Sequence, residues 1–534
     1  MSETLANFQE DRLRDDAVQR RSFADLIFFY AVQRNFTRLS ALEHELESDG
    51  DRLIFDLLQG VDPVRLVERA GSGSGPWVHY TLAKALLRKQ RFDETLQVIE
   101  ASLSKGVPGT SVLNLTARCM ARAGLRAQAC GLTEISLELA PQQRDIKALQ
   151  DAIHAGMELH GDLYLSPLPK RRSVSFYLPV YNVEAYIREA IEGLLAQSYP
   201  LDAICVIDDG TTDRAMDIAA AYPVTPLAHG ENRGLAAARN TAFHHLASPF
   251  VGAIDADAVP DPRYTQHIMM ELENGAPDVA GVGGRLHERY GDTPADRWRA
   301  AHLCQDQGAV RIHPPEFLFG SNTIYHRQRV LEVGGFDERY RSNWEDVDLS
   351  KRLLAAGYTF TFTPHAQAYH LRRDTPASVL RTLWNWAAVK REQSGALDSP
   401  NAVLEEMPNT LQRSINLINH DMETERSSIA YVDLLYFFHE TFLNLDYCVR
   451  HGMLEPGPVR HLQNRLLDSI QSLDRRHGGK LYAKVLSDSA ALLMDGVEPL
   501  NLKAEHALVL ERSLAELERV YAAVSPELYG ILIQ

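Results

Sequence analysis

Cysteine is scarce in this chain: Cys119, Cys130, Cys205, Cys304 and Cys448 are the five in 534 residues, an odd number with no metal-ligand spacing among them. That excludes a disulfide-stapled scaffold and a zinc-finger module, and it suits a reducing compartment, so the expected location is cytoplasmic. Cys205 falls inside an apolar run and reads as a buried small hydrophobe. Basic charge is also in deficit. With 55 Lys and Arg against 71 Asp and Glu, the net charge is −16, which argues against a nucleic-acid partner because phosphate neutralisation needs a basic surface. Long apolar runs are missing too: none reaches the roughly 18 residues a membrane span requires. The longest candidate, residues 431–445, is broken by Asp433, His439 and Glu440. The N-terminal segment Met-Ser-Glu-Thr-Leu-Ala-Asn-Phe-Gln-Glu-Asp lacks the basic start and apolar centre of a secretory signal. No transmembrane segment is expected, and peripheral contact is the closest approach to a membrane that composition allows.

What is present is the composition of a globular protein, 45% apolar and 24% charged. The length predicts several domains. Residues 1–165 read as helical. Leu82, Leu86, Phe92, Leu96 and Ile99 recur at helical spacing, and Leu115, Cys119, Leu125, Ala129 and Leu132 repeat the pattern at an offset of 33 residues. A period of about 34 residues with two helices per unit is that of a tetratricopeptide-type array, although the full Trp/Gly/Tyr consensus is missing, and a plain helical domain is the competing reading. A Pro-rich basic stretch at 166–172 reads as a hinge. From Val174 the period changes. Short β-branched runs at 174–178, 203–207 and 250–254 alternate with helical stretches at 185–197 and 235–246, which predicts an α/β fold, a mostly parallel sheet with helices on both faces. After residue 374 the strand signals stop, and 375–534 reads as a second helical domain whose aromatics (Leu434, Tyr436, Phe437, Phe438, Phe442 among the apolar face) are core.

The chemistry sits where strands end, which is where such sheets bind ligands. Asp208-Asp209 follow one apolar run and Asp255-Ala256-Asp257 another. In an extended segment alternate side chains share a face, so Asp255 and Asp257 can converge on one hard cation, Mn²⁺ or Mg²⁺, that keeps open positions for diphosphate oxygens. Glu345-Asp346-Val347-Asp348-Leu349 opens a helix, and acids there are often only dipole partners. The glycine turns at 319–322 and 333–337, on either side of a strand-like Thr323-Ile324-Tyr325, suggest instead a backbone built to approach a ligand.

Taken in order, Pro-Val-Tyr-Asn (179–182), Asp-Asp-Gly-Thr-Thr-Asp (208–213), Asn-Arg-Gly-Leu-Ala-Ala-Ala-Arg-Asn (232–240), Asp-Ala-Asp, Gly-Gly-Phe-Asp (334–337) and Glu-Asp-Val-Asp-Leu resemble the family 2 inverting glycosyltransferases of the GT-A fold, over about residues 173–373. The resemblance implies a Rossmann-like mixed sheet for 166–374, flanked by the all-α segments 1–165 and 375–534. It implies a nucleotide-diphospho-sugar donor, a UDP-sugar foremost. Pro179, Tyr181 and Asn182 would border the nucleotide, and Asp208 or Asp209 would accept from the base edge. Gly234 would allow close approach, Arg239 would stand near the diphosphate or its supporting acids, and Asn322 would complete the donor site. Asp255, Asp257 and His370 would hold the metal, with Asp255 and Asp257 also contacting the ribose, and Asp346, beside Glu345, would be the general base. Trp344, just before the acids, would stack on an acceptor sugar or merely pack. The chain departs from the processive members in lacking a Gln-x-x-Arg-Trp motif and membrane spans, which favours addition of single sugars. Fused tetratricopeptide-like helices suggest, by analogy, a protein acceptor such as flagellin; a polysaccharide or lipid-linked glycan is the alternative. A non-catalytic GT-A-like scaffold has no need of Asp255, Asp257 and Asp346 together, and a nucleotidyltransferase would open with a Gly-rich basic loop where this chain has Pro-Val-Tyr-Asn.

Overall fold

The computed structural model describes residues 2–453 except 21, 47, 70–75, 105–108, 158–170, 425 and 427–428. Most of the expected hinge and the outer part of the last segment therefore lie outside the described residues. The chain divides into two compact units, Met1–His287 with Gln305–Leu371, and Glu288–Cys304 with Arg372–Gln534.

The first unit is built on eight strands: β1 (Val174–Val180), β2 (Ala203–Asp208), β3 (Thr225–Ala228), β4 (Phe250–Ile254), β5 (Ala258–Pro260), β6 (Val279–Glu288), β7 (Asn322–His326) and β8 (Thr359–His370). Their order in the sheet is β3-β2-β1-β4-β7-β6-β8-β5. The first four neighbours run parallel, and the sheet turns antiparallel where β7 pairs with both β4 and β6. It is the mixed, helix-flanked sheet that the resemblance implied, with a parallel Rossmann-like half. Because side chains alternate along a strand, β1 feeds two cores. Phe176, Leu178 and Val180 pack on one face, while Tyr177 joins Cys205, Ile207, Ala236, Ala242 and Phe243 on the other.

The N-terminal helices share the first of those cores. Leu26, Ile54, Leu82, Leu113 and Leu132 belong to the same continuous apolar cluster as Phe176, Ile191 and Ile268. Helix pairs Pro76–Arg88 with Phe92–Ser104, and Gly109–Arg122 with Arg126–Leu139, follow each other along this segment. Charged links cross to the sheet as well: Arg311 (3% exposed) donates to Glu271 at 2.9 Å, to Gln143 at 2.8 Å and to Asp145 at 3.2 Å. Burial alone would raise the Asp145 carboxyl, but Arg311, His313 and Arg118 pull it below its ordinary value.

In the second unit, helices Pro294–His302 and Pro376–Gln393 both start with a threonine capping box and proline in the first turn. Two longer helices, Pro400–Glu423 and Ala430–Arg450, pack against each other. Tyr436 and Phe437 are buried there, as core aromatics should be. No helix among the described residues is long and apolar enough to cross a membrane.

Candidate active site

A cavity of about 480 Å³ opens at the carboxyl ends of β1, β2 and β4, lined among others by Pro179, Tyr181, Asp209, Gly234, Asp255, Asp257 and Arg341. The parallel strands bring these together from stretches far apart in sequence: each strand ends at the same edge, and its next residues form the rim. Of the residues singled out in the sequence, Asn182, Asp208, Arg239, Asn322, Glu345, Asp346 and His370 do not line the cavity itself; they stand behind or beside it.

Asp255 and Asp257 follow β4 with one residue between them. The Asp255 backbone N–H donates to Ser321 O at 3.1 Å, tying the acidic segment to the strand opposite. His370 ends β8 and pairs in register with Ala258, and its Nε2 lies 3.2 Å from Asp257 Oδ2. Asp255 and Asp257 line the cavity and His370 stands beside it against Asp257; two carboxylates and an imidazole are a donor set that suits Mn²⁺ or Mg²⁺. The charge balance fits the same reading. Burial pushes the Asp255 carboxyl up to about 6, with Asp257 and Asp346 adding to the rise and Arg239 and His370 opposing it. Such a surplus of negative charge is what a divalent cation would relieve.

Arg239 lies behind the acids. Its helix, Leu235–His245, carries Ala236, Ala237, Ala238 and Ala242 on buried positions, so it lies close to the sheet and sends the guanidinium underneath the strand ends. That group is 1% exposed. Nη1 donates to Tyr177 Oη at 3.0 Å and to Gly320 O at 2.5 Å, Nη2 stands 3.5 Å from Asp255 Oδ1, and Nε stands 3.3 Å from Glu345 Oε1. Of the two alternatives for Arg239, diphosphate or supporting acids, this placement is the second. Glu345 is also enclosed, at 2% exposure; burial first, then Asp346, pushes its carboxyl up to about 7 against the pull of Arg239. It is a partner of Arg239, turned away from the rim.

Asp346 is the more open of the two acids. Its Oδ2 accepts the Gly320 N–H and its Oδ1 the Val347 N–H, both at 2.8 Å. Gly320 and Ser321 therefore bridge Asp346 to Arg239 and to Asp255. Trp344, just before the pair, holds a left-handed backbone with φ of 72°, a conformation costly for an aromatic residue that turns the chain into the helix. The sequence offered no sign of it.

On the nucleotide side, Asp209 is 4% exposed and already well occupied. Its Oδ1 accepts from Arg233 N, its Oδ2 from Gly234 N, and His229 Nδ1 lies 2.8 Å from Oδ1, each of these contacts being 2.8 Å. A carboxylate accepts about four hydrogen bonds, so Asp209 organises the 229–234 loop and keeps little capacity for a base. Asp208 accepts the Thr211 N–H at 2.8 Å. Asn182, with φ of 54°, ties the ends of β1 and β2 together by accepting from Thr212 N at 2.9 Å. Gly234 has φ of 100°, and a Cβ there would meet Arg341 O at 2.7 Å; both facts require glycine. Asn322 is 1% exposed and donates to Gly284 O at 2.8 Å, a framework contact away from the cavity.

Arg341 went unnoticed in the sequence. Its side chain reaches Asn232 O at 2.7 Å, its carbonyl accepts the Leu235 N–H at 2.6 Å, and it lines the cavity. An arginine in a loop has no periodicity to betray it; its position four residues before Glu345 was the available sign.

Residues 175–333 match the family described as Glycosyl transferase family 2. Over 269 residues the chain is 34% identical to EpsH of Bacillus subtilis, a glycosyltransferase by name, covering 46% of this chain and 74% of that one. It is 30% identical over 237 residues to the pre-mycofactocin glycosyltransferase of Mycobacterium tuberculosis, 43% of this chain and 47% of the relative, so it spans about half the length of that protein. Among solved structures it is similar to a mannosyltransferase from Pyrobaculum calidifontis in complex with GDP-Man and Mn²⁺, at 18% identity, 66% of this chain, 87% of that chain and a TM-score of 0.31. The six sequence blocks, the mixed sheet that gathers them at one edge and the 34% identity across most of EpsH lead to one conclusion: this chain belongs to the family 2 glycosyltransferases.

Proposed function

We propose that the chain moves a single sugar from a nucleotide-diphospho-sugar to an acceptor hydroxyl with inversion, using a divalent cation held by Asp255, Asp257 and His370. The observation that carries the reading is the placement of Asp255 and Asp257 in the cavity lining, with His370 Nε2 3.2 Å from Asp257 Oδ2 beside it and Asp346 linked to Asp255 through Gly320 and Ser321. When bound, the cation offsets the charge that grows on the departing nucleoside diphosphate. The protein's own residues do the rest. Tyr181, exposed at the rim, offers a face for the base, and Pro179 and Gly234 let the nucleotide lie close to backbone. Arg341, the cavity's guanidinium, is placed to meet a diphosphate. Asp346 takes the proton of the attacking hydroxyl, and the two N–H groups it accepts hold it in one orientation. Arg239 offsets part of the charge of Asp255 and Glu345 from behind and holds both acids in place.

We further propose that 166–374 carries the chemistry and that the helix pairs of 1–165 form a tetratricopeptide-like surface that grips a protein acceptor. The test is a screen of UDP- and GDP-sugars with Mn²⁺ or Mg²⁺, following nucleoside diphosphate release. Release that needs the cation supports the reading; release of sugar 1-phosphate in its place would make the chain a nucleotidyltransferase, and no turnover with any donor would leave a binding scaffold. Transfer to purified glycan and to protein then separates the acceptor classes.

A further inference from the structure

Three helices of the second unit bring together a histidine and two aspartates that play no part in the chemistry above. We propose that His302, Asp421 and Asp433 form a separate divalent-metal site, suited to Zn²⁺, that fastens helix Pro294–His302 to helices Pro400–Glu423 and Ala430–Arg450. One ligand atom from each residue lies within 4.8 Å of the other two, and His302 Nε2 is 2.7 Å from Asp421 Oδ2. Both aspartates are 0% exposed.

Buried carboxylates need either a cation or a full set of donors, and in this pair one oxygen of each acid goes without a donor. Asp433 Oδ2 and Asp421 Oδ1 are buried with no hydrogen-bond partner. Arg426 Nη1 stands 3.9 Å from Asp421 Oδ1, beyond hydrogen-bonding distance, on a side chain 46% exposed. The outer contacts are those that orient metal ligands. Trp298 Nε1 donates to Asp433 Oδ1 at 2.6 Å, Ser414 Oγ donates to the Asp433 carbonyl, and the Trp298 ring lies 5.0 Å from that of His302, one turn along the same helix. Two carboxylates cancel a doubly charged ion, leaving a neutral site suited to a dry interior. Mg²⁺ keeps several of its waters, which two fully buried carboxylates disfavour, whereas Zn²⁺ takes three protein ligands of this kind with a fourth position open.

A rival account gives the acids a shared proton. Burial, with Asp421 adding to it, pushes the Asp433 carboxyl up to about 8 in the absence of a cation. The experiment separates the two. The full chain carrying Asp257→Asn, which silences the donor-site cation, is stripped with chelator and titrated with Zn²⁺ alone by calorimetry, and its melting temperature is followed. The expected result is one tightly bound equivalent and a higher melting temperature, both lost on adding His302→Gln or Asp433→Asn; Co²⁺ in place of Zn²⁺ should give the visible bands of a low-symmetry four-coordinate ion. The proposal is overturned if the Asp257→Asn chain takes up no Zn²⁺, or if His302→Gln retains it. Asp433→Asn melting at or above its parent regardless of metal would establish the shared proton instead. Should Asp433→Asn fail to fold, the stoichiometry of its parent and of His302→Gln decides alone.

Discussion

Asp257 sits at the cavity wall outside both cores, so replacing it should alter binding without altering the fold. For Asp257→Asn the expected outcome is loss of cation-dependent binding of nucleoside diphosphate with an unchanged far-ultraviolet dichroism spectrum; calorimetry with and without Mn²⁺ checks it, and undiminished binding would remove Asp257 from the metal set. Asp346 is a different case. Asp346→Asn keeps an oxygen to accept the Gly320 N–H but cannot take a proton, so kcat should fall roughly 10²-fold or more while donor affinity stays within a few-fold. Turnover near the parental rate would pass the role to Asp348, since Glu345 is enclosed with Arg239. At this scale the sequence was legible wherever a motif is local. Asp255 and Asp257 announce themselves by sitting two apart after an apolar strand. The pairing of Arg239 with Glu345, 106 positions later in the chain, was not legible, because nothing local marks an arginine as buried rather than ligand-facing.

Elements were read well where propensity and position agree. The 250–254 run became β4 with the same ends, and 235–246 became a helix one residue shorter. The strand β6 escaped because Val-Ala-Gly-Val-Gly-Gly reads as a loop; its glycines answer to packing, and a Cβ on Gly284 would lie 2.1 Å from Ala366 O. The helix after β5 and the long strand β8 also set up a pH response. His267, on helix Tyr264–Asn274, and His365, on β8, have ring centroids 6.1 Å apart. Burial, with His365 and Arg263 adding to it, holds His267 down at about 3, and burial holds His365 at about 4. Both rings stay neutral in the fold while the unfolded chain takes up protons below its ordinary value of about 6.5. Their contribution to stability is therefore complete above about pH 6.5 and is lost as pH falls toward 4, by roughly 1 kcal/mol per histidine over the first unit. Urea midpoints from pH 7 to 4.5 should fall less steeply in the His267→Gln, His365→Gln double variant than in the parent. Parallel slopes would assign the acid sensitivity to other groups.

Across the first unit as a whole, the Pro-rich stretch near 166–172 suggested a hinge with few contacts crossing it. The apolar cluster from Leu26 to Ile268 is continuous across that point, and Arg311 spends its donors on Glu271, Gln143 and Asp145. Composition reports that a stretch can bend, but not what lies on either side of it. Deleting 1–165 keeps every candidate donor and metal ligand, yet it strips Gln143 and Asp145 from a buried guanidinium and uncovers one face of the sheet. The fragment should unfold at lower urea than the full chain or aggregate, because it exposes apolar surface and leaves Glu271 as the remaining carboxylate partner of the buried Arg311. A soluble fragment as stable as the parent would make the helices a separable module after all.

The same link sets a timetable. Asp145 and Arg311 are 166 residues apart in the chain, and at about 5–20 residues per second of synthesis that is a wait of roughly 8–33 s. During that interval the strands β1 to β6 that cover their inner face arrive one after another, and the guanidinium comes after them. They must persist as a half-finished surface, open to chaperones and to neighbouring nascent chains, until the ribosome delivers the other half.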